Sequence, residues 1–145
     1  MLGPLYRLSD FLRRHARNRT LSPDQALGRR GEDLAHRFLQ RAGIIVVARN
    51  YRMASGAGEI DLVGWEGDAL VFIEVKSRQS GDYGAPDRAI GEEKQVSLVR
   101  AGREYARHAA VPWEQVRFDV VTVVFSAPPA IAHFRDAFSG KMKVR

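Results

Sequence analysis

The chain has 145 residues, of which 45% are hydrophobic and 28% are charged. This length and composition fit one domain with a substantial core and exclude two full domains. Cysteine is absent, which excludes a disulfide scaffold, a thiolate zinc site and a cysteine nucleophile and favours a reducing compartment, so we expect a cytoplasmic protein. No purely apolar run is longer than five residues, the length reached by residues 44–48 and 69–73. Because a membrane-spanning helix needs roughly 20, we expect no membrane span.

Basic residues are concentrated near the N-terminus. Residues 1–30 contain seven arginines and two acids, a balance of +5 out of the net +6 of the chain. We therefore divide the chain into a basic, helical arm over residues 1–22 and a single domain over residues 23–145. Such an arm suits phosphate backbones through counterion release. A solvated helix that binds nothing and a helix on a membrane surface are alternatives. The arginines proposed for nucleic-acid contact are Arg13, Arg14, Arg17 and Arg19.

The apolar spacing of the rest predicts a helix, three strands, a helix, a strand and a short edge strand. Strands interleaved with helices indicate an α/β fold, in which a mixed sheet is flanked by helices in the order α-β-β-β-α-β. Ser22 and Pro23 are typical of a helix start, and Asp87 is a candidate cap for the second helix. The expected strands are residues 44–51, 59–65, 70–76, 116–125 and 131–134, and the expected helices are 23–42 and 87–108.

The second and third strands form a hairpin that brings charged residues together. Gly67-Asp68 is good chemistry for a two-residue type II′ loop, and this register sets Asp61 opposite Glu74 and Glu59 opposite Lys76. The other face of the hairpin, which includes Ile60, Leu62 and Val71, is apolar. Opposed residues have Cβ atoms about 4.5–5.5 Å apart, so two carboxylates there repel each other unless a cation lies between them. A salt-bridged surface hairpin is the simpler alternative.

Two carboxylates and a lysine, without cysteine, point to hard-cation chemistry. Oxygen ligands select Mg²⁺ or Mn²⁺, and Mg²⁺ is commonly held by one or two carboxylates together with waters and a substrate phosphate. Asp61 and Glu74 are the expected metal ligands. Lys76 would orient a water molecule or neutralise the phosphate during phosphodiester hydrolysis.

Several segments also resemble a known family. Asp61, twelve intervening residues and then Glu74-Val75-Lys76 look like the PD-(D/E)XK motif of restriction endonuclease-like nucleases. The longer pattern resembles the YraN-like family of small bacterial predicted endonucleases over about residues 28 to 138. Its segments are Gly31-Glu32-Asp33-Leu34-Ala35, Arg49-Asn50-Tyr51-Arg52, Gly58-Glu59-Ile60-Asp61-Leu62-Val63, Val71-Phe72-Ile73-Glu74-Val75-Lys76-Ser77-Arg78, Lys94-Gln95, Arg117-Phe118-Asp119-Val120-Val121 and Asp136-Ala137-Phe138.

The resemblance implies a restriction endonuclease-like core in which Asp61 and Glu74 are metal ligands, the carbonyl of Val75 is a further ligand and Lys76 is the catalytic lysine. The proline expected before the first acid is replaced by Ile60. Some members of the superfamily use a glutamate of the first helix as an extra metal contact, which makes Glu32 a candidate. A capping or salt-bridge role for Glu32 is the alternative.

Further residues are candidates for supporting roles. Lys94 interrupts an apolar helix stripe and either points at the carboxylates or phosphate or extends outward into solvent. Gln95 is a candidate for contacting the water or the backbone. Glu59 shares the charged face of the hairpin, and Arg78 is a further candidate for nucleic-acid contact.

We therefore expect a metal-dependent endonuclease that acts on DNA, with branched or junction structures as candidate substrates. Symmetrical cutting of a junction favours a homodimer. Two alternatives remain open at this point: a non-catalytic nucleic-acid-binding module, and an assembly factor that acts through the amphipathic basic arm.

The arm generates a first prediction. We expect deletion of residues 1–20 to leave the domain folded and to weaken DNA binding. Each lost phosphate contact should reduce the slope of log K against log salt by about 0.9 for duplex DNA. Binding titrations at several salt concentrations measure this slope, and an unchanged slope would assign the arm to another partner.

Overall fold

The computed structural model of the protein describes residues 21–80 and 87–141. A five-stranded mixed sheet lies between two helices, and the element order α-β-β-β-α-β confirms the predicted fold class. Residues 1–20, which include the arginines of the arm, lie outside the described residues. None of the described helices combines the length and apolar composition that a membrane crossing requires. The elements are α1 (Pro23–Arg41), β1 (Ile45–Arg52), β2 (Glu59–Glu66), β3 (Ala69–Gln79), α2 (Glu92–His108), a 3₁₀ turn (Trp113–Gln115), β4 (Val116–Phe125) and β5 (Ala130–Phe134).

Helix α1 begins at the predicted cap. The Ser22 side chain accepts a hydrogen bond from the Gln25 N–H, and the Gln25 side chain accepts one from the Ser22 N–H. This reciprocal capping box satisfies two N–H groups that have no partner within the helix. Ala35 and Leu39 are fully buried against the sheet, which fixes the face that α1 turns inward.

The sheet order is β1-β2-β3-β4-β5, and only β3 and β4 run parallel. Val63 pairs with Phe72 across the β2–β3 hairpin, which confirms the predicted register between the loop and the Leu62–Ile73 pair. The two further pairs that this register predicted, Asp61 with Glu74 and Glu59 with Lys76, are not formed, because the ladder ends before them. Gly67, the first loop residue, has φ of 57°, as a type II′ turn requires. The β2–β3 pairing reaches Leu62 opposite Ile73 and goes no further towards the start of β2. Asp61 and Glu74 are therefore the first residues beyond the paired segment.

Each sheet face carries its own core. Leu62 and Ile73 pack with α1, whereas Val63 and Phe72 pack with α2. Ile60 was expected beside Leu62, and that expectation is wrong, because Ile60 belongs to the α2 core. The alternation of faces therefore changes at Asp61.

The cause of this change lies in the neighbouring strand. Asn50 stands between the β1 residues that pair with Leu62 and Ile60, and it has a left-handed φ of 52°. Because a left-handed residue breaks the strict two-residue alternation of a strand, β1 and β2 change face together at this point. The irregularity coincides with Asp61.

Helix α2 starts at Glu92, five residues after the predicted cap Asp87. Gly91 occupies the N-cap position without a side-chain hydrogen bond. The Asp87 carboxylate instead accepts a hydrogen bond from the Ala89 N–H. This local turn replaces the first predicted helical turn.

A buried ionic network joins β2, β4 and β5 away from the candidate site. Asp119 is 1% exposed and accepts hydrogen bonds from the Arg117 guanidinium and the Asp136 N–H, and His133 Nε2 lies 2.7 Å from its Oδ2. Arg117 also reaches Glu66 at 3.0 Å. Burial alone would raise the pKa of Asp119, but these hydrogen bonds hold it below the ordinary 3.8.

We expect Asp119→Asn to lower the free energy of unfolding at neutral pH by about 3 kcal/mol, because it leaves buried partners without their charge. Since the folded-state pKa of Asp119 lies below 3.8, the ionised group stabilises the fold above that pH. The benefit disappears as the pH falls through the folded-state pKa. Urea unfolding of both proteins measures the difference, with Asp68→Asn in the exposed hairpin turn as the control. A loss no larger than that of the control would contradict the account.

Candidate active site

Asp61 and Glu74 meet where β2 separates from β3. Beyond the Leu62–Ile73 pair, the Val75 N–H donates its hydrogen bond to Asp61 Oδ2 at 2.8 Å. The Asp61 side chain thus replaces the backbone carbonyl that a continued ladder would supply. This bond orients the Asp61 carboxylate towards β3, next to Glu74.

Three carboxylates share this end of the sheet. Helix α1 contributes Glu32, and burial together with the charge of Asp61 raises the pKa of both Glu32 and Glu74. The structure therefore brings together both predicted metal ligands and the predicted helix-one glutamate.

Burial dominates the electrostatics of the cluster. Burial raises the pKa of Asp61, although the hydrogen bond from Val75 and the charge of Lys94 oppose the effect. Burial followed by the charge of Asp61 raises the pKa of Glu74. Burial also raises the pKa of Glu32 from 4.5 to about 7. Removing carboxylates from water disfavours their charged form, so the cluster favours either a proton or a cation.

Two cations face the cluster from opposite sides. Lys94 Nζ on α2 lies 3.6 Å from Glu74 Oε1. Arg49 on β1, whose side chain is 8% exposed, lies 3.7 Å from Glu32 and 2.7 Å from Asp33. Lys94 therefore takes the first of its two predicted orientations and points at a carboxylate.

The fit of the cluster to a metal ion depends on its unused oxygen atoms. Glu74 Oε2 is buried and has no hydrogen-bond partner within the described part of the chain. Among residues 21–80 and 87–141, no three His, Cys, Asp or Glu side chains are arranged to hold an ion by themselves. Since Mg²⁺ is typically bound through one or two carboxylates and completes its shell with water and phosphate, the pair Asp61 and Glu74 fits it.

The contacts of the Lys76 ammonium are with Ala89 and Asp87 and not with the carboxylates of Asp61 and Glu74. The ammonium donates to the Ala89 carbonyl at 2.8 Å and lies 3.9 Å from Asp87. The Lys76 side chain, on β3, is one third exposed, and both of its partners lie on the segment that leads into α2. Gln95 also contacts backbone, since its side chain donates to the Ile90 carbonyl at 2.8 Å. The catalytic role of Lys76 stays a prediction.

An open cavity of about 420 Å³ adjoins the cluster through Glu32. Arg29, Arg52 and Glu59 also line it. Glu59 forms a 3.3 Å ion pair with Arg52, and its charge raises the pKa of Asp61. The supporting residue Glu59 therefore lies at the entrance to the carboxylate cluster.

Arg78 lies on β3 at a second, smaller cavity of about 120 Å³ that Lys76 and Asp87 also line. Arg13, Arg14, Arg17 and Arg19 lie outside the described residues. Their predicted contacts with nucleic acid, and that of Arg78, stay predictions.

Two residues of the site were missed in the sequence. Arg49 neutralises Glu32 from β1, and Asn50 provides the irregular backbone beside Asp61. Both lie in a segment matched by the resemblance, but their roles depend on the pairing of β1 with β2. A charged residue inside an otherwise apolar strand was the available signal for Arg49.

Comparison with known proteins identifies relatives along most of the chain. A family model described as "Uncharacterised protein family UPF0102" matches residues 31–123. A UPF0102 protein of Solibacter usitatus is 51% identical over 138 residues, which are 95% of this chain and 100% of the relative. One from Rhodococcus opacus is 45% identical over 115 residues, 78% of this chain and 96% of the relative. One from Koribacter versatilis is 42% identical over 112 residues, 77% of this chain and 78% of the relative.

We expect the stability of Glu74→Gln to depend on pH. A carboxyl group with a raised folded-state pKa keeps its proton in the folded protein at pH values where it has already ionised in the unfolded chain. Wild type therefore loses stability as the pH rises from 4.5 towards the folded-state pKa of Glu74. In EDTA the variant should match wild type near about pH 5 and exceed it near about pH 8 by on the order of 1 kcal/mol.

Urea unfolding at both pH values measures the effect, with Glu114→Gln on the exposed 3₁₀ turn as the control. A sharp loss of stability in Glu74→Gln at the higher pH would identify Glu74 as a structural ion-pair partner of Lys94.

Proposed function

Since the chain belongs to the UPF0102 family, the YraN family that its motifs resemble, we propose that it is a divalent-metal-dependent nuclease that hydrolyses DNA phosphodiester bonds. The observation that carries the proposal is the half-buried pair Asp61 and Glu74, whose pKa values desolvation raises and of which one oxygen, Glu74 Oε2, is buried without a hydrogen bond. Such a pair is stable in its charged form only with a cation nearby.

Asp61 and Glu74 would hold Mg²⁺ or Mn²⁺, with the Val75 carbonyl as a further ligand. When bound, the ion would supply positive charge to the phosphoryl oxygens and lower the pKa of a water molecule. The Val75 N–H keeps Asp61 in its orientation. The Asp61 carboxylate therefore needs little reorganisation on binding the ion, which preserves the alignment that catalysis requires.

The surrounding residues have separate roles in this proposal. Lys94, 3.6 Å from Glu74, balances part of the charge of the cluster and would be available to the phosphate if Asp61 and Glu74 held an ion. Glu32, whose pKa is about 7, accepts a proton at neutral pH and is a candidate base for the water. Lys76 reaches the phosphate only if its bond to the Ala89 carbonyl breaks.

The substrate, the location and the oligomeric state extend this proposal. We propose branched or junction DNA as the substrate, bound also by the arginines of the arm, and a cytoplasmic protein. A two-fold homodimer would cut two strands symmetrically.

A non-catalytic nucleic-acid-binding module is the second candidate. It is favoured by the contacts of Lys76, whose ammonium is held by Ala89 and Asp87. A module of this kind would bind DNA with or without a metal ion, and its binding would not depend on Glu74.

The two candidates differ in a cleavage experiment. We expect wild type to cut at least one of single-stranded, duplex, flap and four-way-junction DNA with Mg²⁺ or Mn²⁺. Asp61→Ala and Glu74→Gln should reduce the rate by at least about a hundredfold, because each removes charge that recruits the ion. Both variants should bind DNA nearly as wild type does.

Asp68→Asn in the hairpin turn is the control and should cut normally. Metal at a hundred times its Kd should stabilise wild type by about 2.7 kcal/mol and leave Glu74→Gln unchanged. Normal binding by all proteins without cleavage on any substrate would favour the binding module.

A further inference from the structure

A second basic site lies on the outer side of α2, away from the carboxylate cluster. An open cavity of about 440 Å³ is lined by Met53, Arg100, Arg103, Arg107, Val111 and Trp113, among others. On α2 the three arginines fall at spacings of three and four, within about 60° of one another around the helix axis. They therefore present one positively charged face to the cavity.

The positive charge of this face is only partly balanced within the described part of the chain. No salt bridge among residues 21–80 and 87–141 involves Arg100, Arg103 or Arg107. Glu104, which lies between them on the helix, accepts a hydrogen bond from the Tyr51 hydroxyl at 2.8 Å. The face therefore carries three positive charges against the single negative charge of Glu104, and an anion in the cavity would balance the excess.

An aromatic ring gives the cavity a second chemical character. The Arg103 guanidinium lies over the Trp113 ring, 4.6 Å from its centroid. The ring is supported from within by Phe118, at a centroid distance of 6.0 Å. Guanidinium groups stacked on aromatic rings are flat, positioned surfaces on which nucleobases stack. Met53 and Val111 add apolar lining beside it.

We propose that this cavity binds one nucleotide unit, with the base against the Arg103–Trp113 pair and the phosphate between Arg100 and Arg107. Both a free nucleotide and a nucleic-acid strand carry this combination of base and phosphate. This inference rests on the proposed function, because the cavity would give the nuclease a second contact with the DNA strand that it cuts. Arg100 lies six residues after Lys94, which is roughly 9 Å along the axis of α2 and about 120° around it, so a strand bound at both sites would have to wrap partly around the helix.

Fluorescence of Trp113 tests the proposal directly. The chain has two tryptophans, so a Trp65→Phe background leaves Trp113 as the only tryptophan. AMP, inorganic phosphate and a short oligothymidylate strand are the probes. We expect AMP or the strand to quench Trp113 and phosphate to bind more weakly than either. Quenching by AMP alone identifies a free nucleotide as the ligand, and preference for the strand identifies nucleic acid.

The variants separate charge from stacking. Arg100→Gln with Arg107→Gln should weaken binding of the quenching probe by at least about tenfold. Arg103→Lys keeps the charge and loses the flat stacking surface, so quenching should fall although phosphate still binds. The control is Arg37→Gln with Arg41→Gln on α1, which removes the same charge from exposed arginines and, at Arg41, also from the last turn of a helix.

Three results would overturn the proposal: no quenching by AMP or the strand, phosphate binding as tightly as AMP, or an equal loss of binding in the α1 control. Glu74→Gln distinguishes this site from the proposed nuclease activity. If Glu74→Gln and wild type are both inactive on DNA while Trp113 is still quenched, the nucleotide site stands and the nuclease proposal fails.

Discussion

The cost of removing carboxylates from water is the constraint on which the candidate site depends. Burial raises the pKa of Glu32, Asp61 and Glu74. Each ionised carboxylate of the cluster also disfavours ionisation of its neighbours, because like charges repel. The fold offsets this cost with Arg49, Lys94 and one backbone N–H, and it leaves Glu74 Oε2 without a partner. Carboxylates in such a cluster keep their charge more easily with a cation beside them than without one.

The surrounding structure keeps strands β2 and β3 apart at the carboxylate cluster. The β2–β3 pairing ends at Leu62, and both cores continue past it, so the strands separate without loss of the surrounding packing. At the other end of β2, the Glu66–Arg117–Asp119 network ties the strands together. One end of the sheet is therefore fixed by satisfied charges, and the other presents charges that are not fully satisfied.

The sequence predicted the fold class and the hairpin register, because a two-residue loop and alternating apolar residues leave few pairings. It did not predict the side on which Ile60 packs, since that depends on the left-handed Asn50 in another strand. The sequence also could not predict the contacts of Lys76, because the Ala89 carbonyl belongs to a segment with no periodic pattern. The orientation of Lys94 towards a carboxylate was one of two predicted alternatives, because this lysine interrupts an apolar stripe of the helix.

Calorimetric titration of wild type with Mn²⁺ at about pH 6.5, in two buffers of different ionisation enthalpy, tests the central claim most directly. The account predicts a binding event that releases protons, because carboxylates with raised pKa values must ionise to bind the ion. It also predicts that Asp61→Asn abolishes this event. Absence of binding to wild type, or unchanged binding and proton release in Asp61→Asn, would contradict it.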